Sequence, residues 1–201
     1  MKHAVPLCAV CLLLAVLCAC AVSPVMDLSG FLQSRKEMDL PLDLSRLYRT
    51  ESEEGEQYWL PQSDTLSLRL FAAETGALYE CRVLIRRMSA DGRQLTPDDA
   101  GLDAFLRECG VTLRAFCGVP EEEADRLLKA LDVRENAASP DAGTLTLEHG
   151  AFTLTLQPHP LETAFAVRDT RLREEATCAV PESRPLFGDT TATRRETVPH
   201  R

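Results

Sequence analysis

The chain has 201 residues and carries 31 Asp and Glu against 22 Lys and Arg, for a formal charge of −9. That excess of acid disfavours partners held by phosphate neutralisation or by anionic lipid, nucleic acid above all. The length suits one domain with a real core plus flanking segments, and two full domains would be crowded.

Lys2 and His3 precede an apolar run from Ala4 to Leu17, and small residues follow, which is the order of a secretory signal. The run of about 14 residues covers ~21 Å as a helix, short of the ~30 Å hydrocarbon core, so no spanning helix is expected. Leu17-Cys18-Ala19-Cys20 resembles the lipobox of bacterial lipoprotein precursors: Leu at −3, a small residue at −1, and at +1 the Cys that receives diacylglycerol before cleavage. Its loose, Cys-bearing form is similar to the signals of spirochaetal lipoproteins. The resemblance covers residues 1 to 22 alone. It implies a signal peptide over 1–19, Cys20 as the lipid-modified (diacylglycerol, palmitate) first residue of the mature chain, and a place in the bacterial cell envelope, periplasmic or on an outer leaflet. Ala19-Cys20-Ala21 also fits ordinary A-x-A-like cleavage, which would release Val22 as a free N-terminus.

Residues 20–56 read as a lipidated N-terminus and tether. They hold Ser23-Pro24, Leu40-Pro41-Leu42 and the acidic run Glu51 to Glu56, with apolar periodicity only at Leu28, Phe31 and Leu32. One short helix over about 27–38 is expected, and Leu40 to Tyr48 as an edge element packed on the domain is the alternative. The α+β domain is placed at 57–172. Leu66, Leu68 and Leu70 alternate with polar residues, as do Tyr79, Cys81, Val83 and Ile85, so both runs predict strands. A two-residue turn at Thr75-Gly76 pairs Leu70 with Cys81, Leu68 with Val83 and Leu66 with Ile85. Asp91-Gly92 makes a turn.

Thr96-Pro97-Asp98-Asp99 has the form of a helix start, with Leu102, Phe105, Leu106 and Cys109 on one stripe and Gly110 as C-cap. Val111, Leu113, Ala115 and Cys117 alternate and predict a short strand, with continuation of the helix as the alternative. Pro120 and Glu121 to Glu123 open a second helix with Ala124, Leu127, Leu128 and Leu131 on its stripe; Asn136 to Asp141 read as a loop. From Thr144 to Leu156 a hairpin turning at His149-Gly150 sets Leu147 against Phe152, Leu145 against Leu154, Thr146 against Thr153 and Thr144 against Thr155. Leu161 to Val167 gives one more strand. Residues 173–201 are expected to be a mobile tail. The resulting architecture is α+β: a mostly antiparallel sheet of about 5–6 strands with two helices on one face, in the order ββαβαβββ.

Chemistry is sparse. His149 and His159 stand at opposite ends of a strand ~23 Å long and cannot share an ion within a protomer. No Gly-x-Ser-x-Gly, Walker loop, Rossmann fingerprint or His-Glu-x-x-His is present. Of eight cysteines, four (Cys8, Cys11, Cys18 and Cys20) belong to the leader and its lipobox. Cys81, Cys109, Cys117 and Cys178 form no C-x-x-C. Cys109 and Cys117 are too far apart on either a helix or a strand for a disulfide, whose Cα atoms lie within about 7 Å. Cys81, Cys109 and Cys117 fall on apolar phases and are expected as buried free thiols, with a bridge from Cys81 as the alternative. Tyr58 and Trp59 read as core packing at the sheet end, or as a ligand rim. No catalytic, metal or cofactor residue is assigned. The first hairpin register opposes Arg69 to Arg82 and Thr65 to Arg86, and like charges so opposed call for an anion or nearby carboxylates. This singles out Arg69, Arg82 and Arg86 as a small anion-accepting patch, with solvated arginines screened by salt and by neighbours such as Glu80 as the plainer alternative. The expected function is a lipid-anchored envelope protein with a binding or scaffolding domain. Its partners are the membrane, through the lipid, and an envelope protein or small anionic ligand. An envelope hydrolase using acidic residues gathered in a cleft is the alternative.

Overall fold

The computed structural model describes residues 25–52, 55–88, 92, 97–139 and 141–172. Cys20, Thr96, Cys178 and the stretch 173–201 lie outside them. Seven strands form one antiparallel sheet: β1 (Tyr48–Ser52), β2 (Gly55–Pro61), β3 (Leu66–Ala72), β4 (Leu78–Arg86), β5 (Leu145–His149), β6 (Phe152–Gln157) and β7 (Glu162–Asp169), in the order β1-β2-β3-β4-β7-β6-β5. The chain runs outward-in through a four-strand meander, crosses one face as helices, and returns as a three-strand meander whose last strand pairs with β4. The α+β class and the antiparallel sheet are as expected; the strand count is larger.

The extra strands come from the stretch read as a tether. From Leu28 onward it folds, as helix α1 (Leu28–Glu37), a 3-10 turn (Leu44–Arg46), β1 and β2. Asp27 caps α1, its carboxylate accepting from the Gly30 N–H at 2.6 Å, and Met26 O accepts from Leu78 N at 2.7 Å, which ties the helix start to the sheet. Phe31 is fully buried. Arg35, also buried, forks onto Glu108 at 2.5 and 3.1 Å. Beyond Phe31 and Arg35 the stretch contributes Met26, Leu28, Met38, Leu42 and Leu47, only partly buried against the core and without a single period, so the sequence reads like a linker.

The first hairpin has the predicted register, including Arg69 opposite Arg82. Its loop is one residue longer than expected: Ala73 N donates to Ala77 O at 2.8 Å, and the surplus residue, Tyr79, is absorbed by a bulge beside Phe71 and Ala72. The second hairpin turns at Gly150-Ala151, so every pair slips by two: Leu147 faces Leu154, Leu145 faces Leu156 and Thr146 faces Thr155. Gly150, at φ +59°, takes the first of the two turn positions, where a type II′ turn calls for glycine. A slip of two keeps each side chain on its expected face.

Helix α2 (Asp99–Thr112) starts two residues later than predicted, capped by Asp98, which accepts from Gly101 N at 2.7 Å. It does not stop at Gly110. It continues as a π-helical turn (Leu113–Cys117) and ends at Gly118, whose φ of +70° serves the cap. The predicted strand at 111–117 is therefore helix. Val111, Thr112, Leu113, Ala115 and Phe116 are all buried, because this stretch runs under α1, and burial around most of its circumference imitates alternation. Helix α3 (Glu121–Ala130) buries the expected stripe of Ala124, Leu127 and Leu128, with Leu131 just beyond it. Helix α4 (Val133–Ala138) occupies half of the expected loop and buries Val133 and Ala137.

Pairing aligns residues into rows across the sheet. On the face under the helices one row reads Tyr58, Leu70, Cys81, Val167, Leu154, Leu147, and the next Leu60, Leu68, Val83, Phe165, Leu156, Leu145. These two rows, α2 lying across β3 and β4, and Phe31 make up the core. Leu161 is exposed, outside the strand in which it was expected.

Candidate functional site

The other face of the same strands carries different rows. Tyr48, Trp59 and Arg69 lead across β1 to β3 to Arg82 on β4, then to Ala166, Thr155 and Thr146 on β7, β6 and β5. One step along, Phe71 lies beside Glu80, followed by Arg168, Thr153 and Glu148. The aromatic half is stacked. The Tyr48 and Trp59 ring centroids are 5.6 Å apart, the Arg69 guanidinium sits 5.8 Å from the Trp59 ring, and Arg82 sits 4.7 Å from the Phe71 ring. Trp59 Nε1 is shielded from solvent with no acceptor among the described residues.

At the centre Glu80 is buried, with 2 % of its surface exposed, although it belongs to the open face. Arg82 reaches it from two positions along β4 and Arg168 from across β7. Its Oε1 accepts from Arg82 Nε; its Oε2 accepts from Arg168 Nε at 2.7 Å and from Arg168 Nη2. Both arginine side chains keep more than a third of their surface in solvent, 36 % and 37 %. Beyond them the alanines of β7, Ala164 and Ala166, form the low floor of a trough of about 350 Å³, with Thr153 and Thr155 on the far bank. Glu148 closes the outer end, both of its oxygens within 3.0 Å of Thr153 Oγ1.

Comparison with family models, curated proteins and solved structures finds no match for this chain. The site is therefore read from its own residues.

Of the three arginines singled out in the sequence, the structure brings only Arg82 into this cluster. Arg69 turns to Trp59, and Arg86 is exposed at the strand end, opposite Glu162. Arg168 and Glu80 complete the cluster; Glu80 was noted only as a screening neighbour, and Arg168 was missed. The polar phase of β7 marks Arg168 as open-facing, but only the β4–β7 pairing puts it beside Glu80. Tyr58 and Trp59 divide between the two faces: Tyr58 joins the core and Trp59 the open rows.

A larger groove of about 720 Å³ runs between α2, α3 and α4 over Leu106, Gly110 and Leu128. It is the packing seam of the helices, and two of its arginines pair with acids, Arg114 with Glu121 at 3.0 Å and Arg134 with Asp103. His149 Nδ1 lies 4.0 Å from Glu123 at the tip of the second hairpin, while His159 Nδ1 accepts from the Leu161 N–H at 3.2 Å at the other end of β6. Among the described residues no trio of metal-ligating side chains gathers.

Cys81, Cys109 and Cys117 are free thiols. Burial pushes all three up in pKa, Cys117 to about 12, with the Asp169 carboxylate adding to the shift there. None is poised as a thiolate at neutral pH. Arg87 is buried as well, donating to Thr163 Oγ1 at 3.2 Å and to Ala137 O, and burial lowers its pKa. Of the two trough carboxylates, Glu80 is held by Arg82 and Arg168 and Glu148 by Thr153. They stand three strand spacings apart, about 14 Å between Cα atoms, with Arg168 and Thr153 between them.

Proposed function

We propose that this chain is an exported protein of the bacterial cell envelope, held to the membrane by lipid on Cys20, whose domain binds a partner or small ligand on the open sheet face. Binding rather than catalysis is its task. The observation that carries this reading is the open face itself: among the described residues, seven strands with helices on one side only, and on the other aromatic rings, arginines and threonines set in continuous cross-strand rows. Such half-exposed, stacked side chains suit recognition, and the carboxylates among them are already engaged. The address comes from Leu17-Cys18-Ala19-Cys20.

The folded region begins close to the lipid. Six residues lie between Cys20 and Asp27, a reach of about 25 Å at full extension, so the domain works near the headgroups rather than on a long leash. Detergent phase separation tests the anchor. Wild type is expected in the detergent phase with palmitate label, and Cys20→Ala in the aqueous phase without it. Partitioning of Cys20→Ala with detergent would contradict the lipid anchor, since no described helix is long and apolar enough to cross a membrane.

A further inference from the structure

We propose that the trough beside Arg82 and Arg168 receives a single oxyanionic group, a carboxylate or phosphate, on a ligand whose neutral hydrogen-bonding remainder lies along the threonines toward Glu148. The inference rests on the reading of the open face as a binding surface and names what that surface takes.

Glu80 grips Arg82 by Nε and Arg168 by Nε and Nη2. Both Nη groups of Arg82 and Nη1 of Arg168 are then left without a protein acceptor among the described residues, on side chains more than a third exposed. A buried carboxylate thus fixes the orientation of two guanidinium groups while leaving their outer edges unused. Such a fork is the preferred geometry for carboxylate and phosphate. Ordering two long side chains before the ligand arrives removes an entropic cost that binding would otherwise bear.

Charge points the same way. Two guanidiniums share one carboxylate, so the cluster keeps a surplus positive charge on a chain whose formal charge is −9. Phe71 backs the Arg82 guanidinium, which restricts solvent to its free edge. The floor beside it is low because β7 presents Ala164 and Ala166 at the two positions next along its open face from Arg168. The Thr155 hydroxyl stands on the adjoining strand and offers a neutral donor and acceptor. Glu148 then limits the choice. A second acid group at the outer end would meet a fixed carboxylate, which excludes extended polyanions and leaves one acid group at the β4–β7 end.

Thermal denaturation of the mature chain in non-ionic detergent tests this, with sodium phosphate or sodium acetate titrated at ionic strength held constant by sodium chloride. Wild type is expected to show a saturable rise in Tm of about 3–5 °C at ten times the Kd. Arg82→Lys/Arg168→Lys keeps the charge, removes the fork, and should lose the rise. Arg69→Lys should keep it. Saturation by phosphate alone would assign a phosphorylated ligand, by acetate alone a carboxylated one, and by both the shared oxyanion chemistry. No rise beyond the chloride control, or an equal rise in the double variant, would overturn the site. If the double variant does not fold, Arg82→Lys alone decides by the same criterion. These outcomes are independent of the anchor: loss of the anion effect while Cys20→Ala still leaves the detergent phase would remove the trough and spare the envelope address.

Discussion

Every strand of the sheet serves two faces, and the two are held by different interactions. Under the helices each cross-strand row is apolar from end to end, and residues such as Leu68, Phe165 and Leu154 are fully enclosed. There stability comes from area removed from water, roughly 25 cal/mol per Å². On the open face the same pairing aligns Tyr48 with Trp59, Arg69 with Arg82, and Glu80 with Arg168. Most of these groups stay partly wet, so their contacts contribute modestly to folding and remain available to a partner. Register is common to both faces; the covering layer decides which face carries the fold. The contrast extends to ion pairs. Arg35 and Glu108 are sealed between α1 and α2, whereas Arg82 and Arg168 clasp Glu80 with their outer edges in solvent.

That contrast can be broken in graded steps. Glu108→Ala strands the Arg35 guanidinium in the interior and should cost about 3–5 kcal/mol in urea denaturation, as should Phe165→Ala by leaving a cavity. The double replacement Arg35→Met/Glu108→Leu should recover most of the first loss, since no charge is then left unpaired. Alkaline pH is expected to act on the covered side as well. Folded thiol pKa values lie above the unfolded value near 9, so the unfolded state releases protons first. Stability should therefore be complete below about pH 9 and fall as pH rises towards the folded value, about 12 for Cys117. A stability–pH profile of Cys117→Ala should show a shallower fall than wild type. On the open face Glu80→Ala should cost less, about 1–2 kcal/mol, because both arginines can turn to water. Arg69→Ala should cost least, up to about 1 kcal/mol for the lost stacking on Trp59.

What the sequence disclosed follows the same division. Period-two alternation located β3 to β7 and assigned their faces, because a face that must be dry admits only apolar residues. The register of Leu68 and Val83 was legible for that reason. The register of the second hairpin was misplaced by two residues because Leu-Thr alternation is unchanged by such a slip, and Gly150 suits either turn. The π-helical turn at Leu113–Cys117 was hidden by burial on nearly all sides, which erases helical period. Residues 28–56 looked like a leash because α1 fully buries only two side chains, Phe31 and Arg35. Arg69 and Arg82 were found because one hairpin suffices to pair them. Arg168 was not, because its meeting with Glu80 depends on strand order, which local pattern does not encode.

The proposed anion site implies that the Glu80, Arg82 and Arg168 cluster serves a ligand and not the fold. Urea denaturation of the mature chain beside Glu80→Thr/Arg82→Thr/Arg168→Thr tests it most directly, since removing the cluster whole leaves no charge stranded and supplies good strand formers. The triple variant is expected to be within about 1 kcal/mol of wild type in stability, with an unchanged denaturant slope. A loss of about 3 kcal/mol or more, as large as that of Phe165→Ala, would contradict it by showing that the cluster holds the sheet together.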